Sequence, residues 1–261
     1  MSEERLTKLL EEKIAQYDLE IERLRAINQI QNLMGRYEVV HLTPEEIVNT
    51  WKLFANWRQD CSVEVSLQGA IFGPENIKIY WESMKYHSIK ATAFFHALAS
   101  PIIEVAGNGM TAKATWMSPG FECAMELQEG RPPFAAWCFG KYAMDFIKNP
   151  DTGEWAIWHM HWFRLARNDY DKDFVAFAQY EHDNPPPKRP QEGNYEAHPY
   201  VFHRPLSVTE DTHPFPVDPK PYYDYDGNFR WQYGGEEMEK KYGVVHPSYE
   251  KLYNVNYPET V

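Results

Sequence analysis

The sequence has few cysteines, no long apolar run and no excess of basic residues. Its three cysteines, Cys61, Cys123 and Cys138, are widely spaced and odd in number. This argues against a disulfide framework or a zinc site and predicts reduced thiols, buried as small apolar side chains. No stretch approaches the roughly 18 consecutive apolar residues of a membrane span. The N-terminus, MSEERLTKLLEEK, lacks the basic and apolar segments of a signal peptide, so we expect a cytoplasmic protein without a membrane partner.

The net negative charge and the absence of known nucleotide-binding and catalytic motifs restrict the kind of ligand that the protein is expected to bind. The formal net charge is -12, whereas nucleic acids and anionic membranes both require a basic footprint. The sequence contains no phosphate-cradling glycine loop, no Gly-x-Ser-x-Gly motif and no dinucleotide fingerprint. Aromatic residues make up 15% of the chain, more than an ordinary core needs. The predicted ligand is a small hydrophobic or aromatic molecule, with no nucleic acid and no cofactor.

Helical periodicity covers residues 5–41. Apolar side chains recur there at spacings of three and four residues, at Ile14, Tyr17, Ile21, Leu24, Ile27, Ile30, Met34 and Tyr37. The pattern predicts one long helix or two in line. Its first part carries more charge than a monomer needs to bury one stripe, so we expect it to pack on a partner subunit.

Two further helices and a strand follow. Thr43 and Pro44, with acids behind them, predict the start of a helix that runs to about Trp57. Alternation over residues 61–67 predicts a strand. A Gly-Pro-Glu sequence at 73–75 opens a third helix, which is expected to end near Lys85.

Residues 91–164 predict consecutive antiparallel strands, including strands at 134–147 and 155–165. Turn sequences at 106–109 and 149–153 contain the Gly, Asn and Pro residues that hairpins favour. A curved sheet is the expected product, covered on its apolar face by the helices upstream.

The chain changes character after residue 169. Residues 184–261 hold 12 of the 19 prolines, with many Tyr and His residues and a short predicted helix near 236–241. This segment is too aromatic for a solvated tail, which predicts an extended arm that wraps its own subunit or a neighbour. The predicted organisation is a helical extension at 1–21, a barrel at 22–168 and an arm at 169–261. A homo-oligomer, dimer or trimer, would form through the N-terminal helix and the arm.

Several segments resemble the SnoaL-like branch of the nuclear transport factor 2-like superfamily. They are Tyr37 late in the first helix, WKLFANWRQDCSVEV at 51–65, FGPENI at 72–77, HALASPIIEV at 96–105, GKY at 140–142 and GEWAI at 153–157. The resemblance implies an α+β fold, a cone-shaped barrel in which a curved antiparallel sheet wraps around N-terminal helices. The branch includes scytalone dehydratase and bile acid 7α-dehydratases, and it is similar to lyases that release formaldehyde from lignin-derived dimers. Members also include isomerases, cyclases and binders, so the fold does not fix the function.

The resemblance assigns the pocket histidine to His96, where a neutral imidazole could accept or deliver a proton. The alternative is a core histidine bonded to a backbone carbonyl. Tyr37 and His41 lie four residues apart, on the helix face that carries Ile30 and Met34.

Tyr37 would hold or protonate a substrate oxygen. Family dehydratases carry an aspartate shortly after this tyrosine, which this chain lacks. His41, or with less support Glu38, would take that role.

His159 and His161 share one face of the last strand. They are predicted pocket residues, with His161 as a second proton donor, or else part of a metal site for which no further ligands are evident. Arg164 on the other face would bind a phenolate or carboxylate, or pair with an acid at an interface. The period does not decide which face lines the pocket. Trp116, Trp137 and Phe139 are candidate pocket walls, although core packing explains any one of them.

These residues predict a cofactor-independent lyase that eliminates water or formaldehyde from a hydroxylated aromatic or polycyclic molecule. His96 would be the base, and Tyr37 with His41 or His161 would protonate the departing oxygen. The alternatives are a non-catalytic binding or assembly protein of the same fold and a metal enzyme using His159 and His161.

Overall fold

The computed structural model describes residues 2–65, 69–84, 92–126, 132–184, 193–227 and 229–246. None of the helices in these ranges is both long enough and apolar enough to span a membrane. The expected ends of the 61–67 strand and of the third helix at Lys85 lie outside the described residues, as does the start of the 91–164 segment.

The helices begin where the sequence provides caps. Thr43 caps the second helix by accepting a hydrogen bond from the Glu46 amide at 3.3 Å, and proline follows at the first helical position. This helix ends well before Trp57, and a short 3₁₀ helix at Thr50–Leu53 succeeds it. The helices are α1 (Glu3–His41), α2 (Pro44–Ile47), α3 (Pro74–Ser83), α4 (Phe174–Asp183) and α5 (Glu236–Tyr242).

One curved sheet contains every named strand. The order is β2-β1-β7-β6-β5-β3, with β4 also paired to β5, and β1 pairs with β7 in parallel while the other pairs are antiparallel. The predicted turns at 106–109 and 149–153 are confirmed, with Gly109 and Gly153 at positive φ. The strands are β1 (Ser62–Val65), β2 (Gly69–Phe72), β3 (Ala93–His96), β4 (Ala99–Val105), β5 (Thr111–Ala124), β6 (Phe134–Lys148) and β7 (Trp155–Asp169).

The helices cover the inner face of the sheet. The second half of α1 lies in this core through Ala26, Ile30, Leu33, Met34, Tyr37 and His41. The predicted face of Tyr37, His41, Met34 and Ile30 is therefore buried. The apolar residues of the first half, from Ile14 to Leu24, are exposed instead. The apolar positions of α1 therefore form two separate stripes, an exposed one in the first half and a buried one in the second half.

The arm covers the outer face of its own sheet. In the part of the arm after α4, the buried phenylalanines and Tyr233 form an apolar cluster with strand residues, whereas Tyr195 and Tyr225 join the other apolar cluster. The members of the first cluster are Ala70, Phe72, Ala143, Phe163, Val201, Phe202, Phe215, Phe229 and Tyr233. The arm also extends the sheet, because the backbones of Ala70 and His198 exchange two hydrogen bonds of 2.9 and 2.7 Å. Gly69 permits this approach, since a Cβ there would lie 2.1 Å from the His198 carbonyl oxygen.

Two elements were not expected from the sequence. Strand β2 is only four residues long and entirely buried, so it shows no alternation. Helix α4 follows directly after β7 with the cap Asp173, whose side chain accepts from the Ala176 amide at 2.8 Å.

The arm cluster should contribute to the stability of the whole domain. Phe202 is 7% exposed, and its ring packs 4.9 Å from that of His213 and 5.2 Å from that of Phe215. We expect Phe202→Ala to lower the free energy of unfolding by about 3–5 kcal/mol, measured by urea denaturation with tryptophan fluorescence. Tyr200→Ala is the matched control, because Tyr200 is 40% exposed. Equal losses in the two variants would show that the cluster is not part of the cooperative core.

Candidate active site

His96 ends β3 and lies against an indole. Its ring stacks on that of Trp162, with centroids 5.6 Å apart and planes 29° apart. Two glycines make this possible. A Cβ at Gly120, the β5 partner of His96, would lie 2.8 Å from His96 Cδ2, and a Cβ at Gly140 would lie 2.4 Å from the Trp162 ring. The stack therefore depends on positions where any side chain would intrude.

Glu122 contacts the imidazole from β5. Its Oε1 lies 3.4 Å from His96 Nε2, and its Oε2 accepts a hydrogen bond of 3.2 Å from Arg167 Nε. Burial opposes ionisation of Glu122, but the contact with His96 and the charge of Arg167 outweigh it and lower the pKa of this carboxyl below its ordinary range. An ionised carboxylate at this place fixes the ring orientation and would stabilise an imidazolium.

Glu38 brings a second carboxyl towards His96 from α1. Burial raises the pKa of Glu38 to about 7, an effect that the charge of His96 and the Tyr142 hydroxyl partly offset. That hydroxyl donates a hydrogen bond of 3.3 Å to Glu38 Oε1. A carboxyl with this pKa can hold or release a proton near neutral pH.

Tyr37 and His41 both turn into the core, but their chemistry differs. His41 Nδ1 donates to the Tyr37 carbonyl oxygen at 2.8 Å. Burial lowers the pKa of His41 to about 3, and this bond offsets the effect only in part. His41 is therefore neutral at pH 7 and packs edge-on against Trp81 at 4.9 Å. Of the two residues expected to replace the missing aspartate, Glu38 makes the more suitable contacts.

The Tyr37 hydroxyl also stays protonated. Burial raises its pKa well above the ordinary value of 10.0. Its ring packs edge-on against that of Tyr142, with centroids 5.8 Å apart. Tyr37 therefore lies beside the phenol that contacts Glu38, as a hydroxyl that can hold an oxygen.

Cys138 completes a group of potential metal ligands. Among the described residues, His96, Glu122 and Cys138 place donor atoms within 4.8 Å of one another. Arg167 already donates to Glu122, and burial raises the pKa of the Cys138 thiol. A cation would meet a guanidinium and a protonated thiol, so the donor set does not suit a metal.

His159 and His161 lie on the opposite face of β7 from Trp162, because neighbouring strand residues point to opposite faces. His159 Nδ1 donates to Asp145 Oδ2 at 2.9 Å. His161 Nε2 lies 3.7 Å from Glu64 Oε1, and burial lowers its pKa to about 3. Contrary to expectation, the structure does not bring these histidines into the site of His96.

The space beside this histidine pair is too small for a substrate. A cavity of about 10 Å³ separates the outer sheet face from the arm, which is room for one water molecule at most. Asp145, at its edge, also accepts hydrogen bonds of 2.8 Å from Tyr225 and from Trp231 of the arm. The two histidines therefore belong to a polar network that joins the arm to the sheet.

Two of the candidate pocket walls point away from His96. Trp137 and Phe139 flank Cys138 on β6. Because the Cys138 thiol lies on the side of His96, its two neighbours in the strand point to the other side. The Trp137 ring stacks on that of Tyr170 at 5.5 Å, and the Phe139 ring contacts that of Phe174 in α4 at 5.4 Å. Both residues pack on the segment that follows β7.

Trp116 and Arg164 also have local explanations. Trp116 is buried in the inner core, with its ring 6.1 Å from that of Phe146. Arg164 Nη2 lies 3.7 Å from Glu181 Oε1 of α4, so the expected acidic partner comes from the same chain. The charge of Arg164 also acts on Cys138 and Glu122, two residues of the His96 group.

Sequence reasoning missed Glu122, Arg167 and Tyr142. Tyr142 lies in the GKY segment at 140–142, but that segment gave no sign of its contact with Glu38. No local motif marks Glu122 or Arg167, since they meet His96 only through the register of the strands. The one available signal is a single acid in the apolar segment 121–125, FECAM. An isolated charge in a buried strand indicates a paired partner.

This geometry, a curved sheet that holds a histidine and carboxylates against an N-terminal helix, defines a nuclear transport factor 2-like α+β protein. Residues 22–161 match the SnoaL-like domain over more than half of the chain. The chain belongs to the SnoaL-like family. No curated protein sequence matches it.

Solved structures show a similar fold. A protein from Novosphingobium aromaticivorans, provisionally assigned as a scytalone dehydratase, is 18% identical, with a TM-score of 0.45 over 59% of this chain and 93% of its own. A hexachlorocyclohexane dehydrochlorinase is 11% identical, with a TM-score of 0.44 over 59% of this chain and 95% of its own. A protein of unknown function from Mycobacterium tuberculosis is 19% identical, with a TM-score of 0.40 over 55% and 78%. This likeness concerns the fold and assigns no activity to the chain.

The buried Glu64 predicts a pH-dependent stability. Burial raises its pKa from 4.5 to about 8, although the Val201 amide donates to it at 2.7 Å. The folded protein therefore keeps this proton where the unfolded chain has released it, so stability falls as the pH rises from about 4.5 to about 8. Glu64→Gln should flatten this fall, measured by urea unfolding across that range. The exposed carboxyl variant Glu237→Gln is the control, and a slope unchanged in Glu64→Gln would contradict the prediction.

Proposed function

We propose that this protein is a cofactor-independent acid/base lyase that eliminates water or formaldehyde from a hydroxylated aromatic or polycyclic small molecule. The proposal rests on the group around His96, in which one carboxyl, Glu122, favours the ionised form and the other, Glu38, favours the protonated form. Glu122 is held ionised by its contact with His96 and by the charge of Arg167, whereas Glu38 is held near its protonated form by burial. Such divergent environments separate a base from an acid within one site.

His96 is the proposed base. Nε2 faces Glu122, which leaves Nδ1 to accept a proton from the carbon or hydroxyl next to the leaving group. The Glu122 carboxylate compensates the positive charge that the ring acquires. Arg167 acts through Glu122 and is a positioning residue.

Glu38 is the proposed acid, with Tyr142 and Tyr37 as hydroxyl donors beside it. In a dehydration, His96 takes a proton from carbon, the C–O bond breaks, and Glu38 protonates the departing hydroxide. In a formaldehyde release, His96 takes the proton of a hydroxymethyl group, whose C–C bond breaks. The electron pair of that bond forms the C=C bond of an alkene. At the same time the hydroxyl on the neighbouring carbon leaves as water, with the proton of Glu38. Both reactions balance without an external oxidant or reductant.

A depression where β5 ends and β6 begins provides space for an aromatic ligand. It measures about 390 Å³ and is lined mainly by apolar residues, among them Ala124, Met125 and Phe134. The Phe134 ring lies 5.6 Å from the guanidinium of Arg167, which contacts Glu122. The volume falls within the range of about 300–1,000 Å³ of small-molecule pockets.

The first test is a panel of hydroxylated aromatic dimers and hydroxysteroids, with and without chelator, followed by absorbance of conjugated products and by formaldehyde release. We expect turnover that chelator does not affect and that His96→Ala reduces by about 100- to 10,000-fold. His198→Ala, at a half-buried arm histidine, is the matched control. Ligand binding without turnover, unchanged in His96→Ala, would favour the binding protein instead.

The pH profile tests the acid separately. Because Glu38 must be protonated to act and its pKa is about 7, kcat/KM should fall as the pH rises through about 7. In Glu38→Gln the residual activity should lose this alkaline limb, since the amide does not titrate. An alkaline limb that persists in Glu38→Gln would assign the acid to another group.

A further inference from the structure

The first half of α1 carries an apolar stripe that its own domain does not cover. Leu10, Ile14, Tyr17, Ile21 and Leu24 are between 45% and 67% exposed. They recur at spacings of four and three residues, which is the heptad pattern of a coiled coil. A contiguous apolar stripe in solvent indicates an interaction surface.

The stripe points away from the protein. At about 100° per residue, its centre lies roughly 170° from the α1 face that enters the core. The domain side of the helix is marked by Arg23, which donates to the Val105 carbonyl oxygen at 2.9 Å, and by Glu22, 3.7 Å from Lys148 Nζ. Both contacts lie on the core-facing side, so the helix is already anchored along one edge while the stripe remains free for a partner.

The heptad register predicts the partner. With Ile14 and Ile21 at the a positions, the d positions hold Leu10, Tyr17 and Leu24. Branched residues at a with leucine at d favour two parallel strands. The following a and d positions are Asn28 and Gln31, both exposed. The seam therefore ends where α1 enters its own core.

The flanking charges match a second copy of the same helix. In a parallel pair, the g position Lys13 would face Asp18 of the partner subunit, and the g position Glu20 would face Arg25 of the partner subunit. An antiparallel pair centred on Tyr17 would instead place Asp18 against the same residue of the partner subunit. We infer that α1 forms a parallel, in-register two-stranded coiled coil with a second copy of this chain through residues 10–24.

Sedimentation equilibrium tests the seam. Ile14→Glu should halve the mass of the wild-type particle, because it puts two like charges at one a layer. Leu9→Glu is the matched control, since Leu9 is 43% exposed and lies outside the a and d positions, and it should leave the mass unchanged. A monomeric wild type, or a mass that Ile14→Glu does not change, would overturn the inference. Both substitutions are at exposed residues far from the proposed active site, so the result does not depend on the enzymatic proposal.

Oxidative cross-linking tests the direction. Leu10→Cys alone should form a disulfide-linked dimer in a parallel pair, because equivalent d positions face each other. Linking only after Leu10→Cys and Leu24→Cys chains are mixed would show an antiparallel pair and overturn the proposed register. Oxidised wild type controls for the native thiols, of which Cys61 and Cys138 are buried and Cys123 is half-buried.

Discussion

Both faces of the long strands are covered, and this constraint shapes the rest of the molecule. Helices occupy the inner face and the arm occupies the outer face, so ten consecutive residues at the start of β7 are buried. A charged side chain on these covered strands is shielded from water and is expected to be paired within the protein. Asp145 shows the result, since it accepts hydrogen bonds from His159, Tyr225 and Trp231.

The same constraint separates two kinds of histidine. On the outer face, His159 is hydrogen-bonded to Asp145 and His161 lies beside Glu64. Both line a cavity of about 10 Å³, which suits a structural network. His96 on the inner face contacts Trp162 and Glu122, and Glu38 brings a second carboxyl towards it. Because Glu122 is ionised and Glu38 is close to its protonated form, the group around His96 can both accept and donate a proton.

The order of elements and the family resemblance allowed the fold class to be predicted. Local turn chemistry predicted both hairpins, and one clear period predicted the buried face of α1. It did not decide which face of β7 lines the site, since alternation carries no information when both faces are apolar. The pairing of His96 with Glu122 depends on strand register, which no local signal specified. The apolar series of α1 predicts a single stripe, but three consecutive steps of three residues, from Ile21 to Ile30, rotate it around the helix.

The arm changes where this protein can be divided. The SnoaL-like match ends at residue 161, but Asp145 receives donors from positions 80 and 86 residues further along the chain. Glu64 is bonded by Val201 in the same way. The region that matches the family is therefore hydrogen-bonded to the arm at two buried acids. In a relative without such an arm, acids at the positions of Asp145 and Glu64 would be exposed to solvent, or other residues would occupy these positions. We therefore expect the residues at these two positions to differ between relatives with and without an arm.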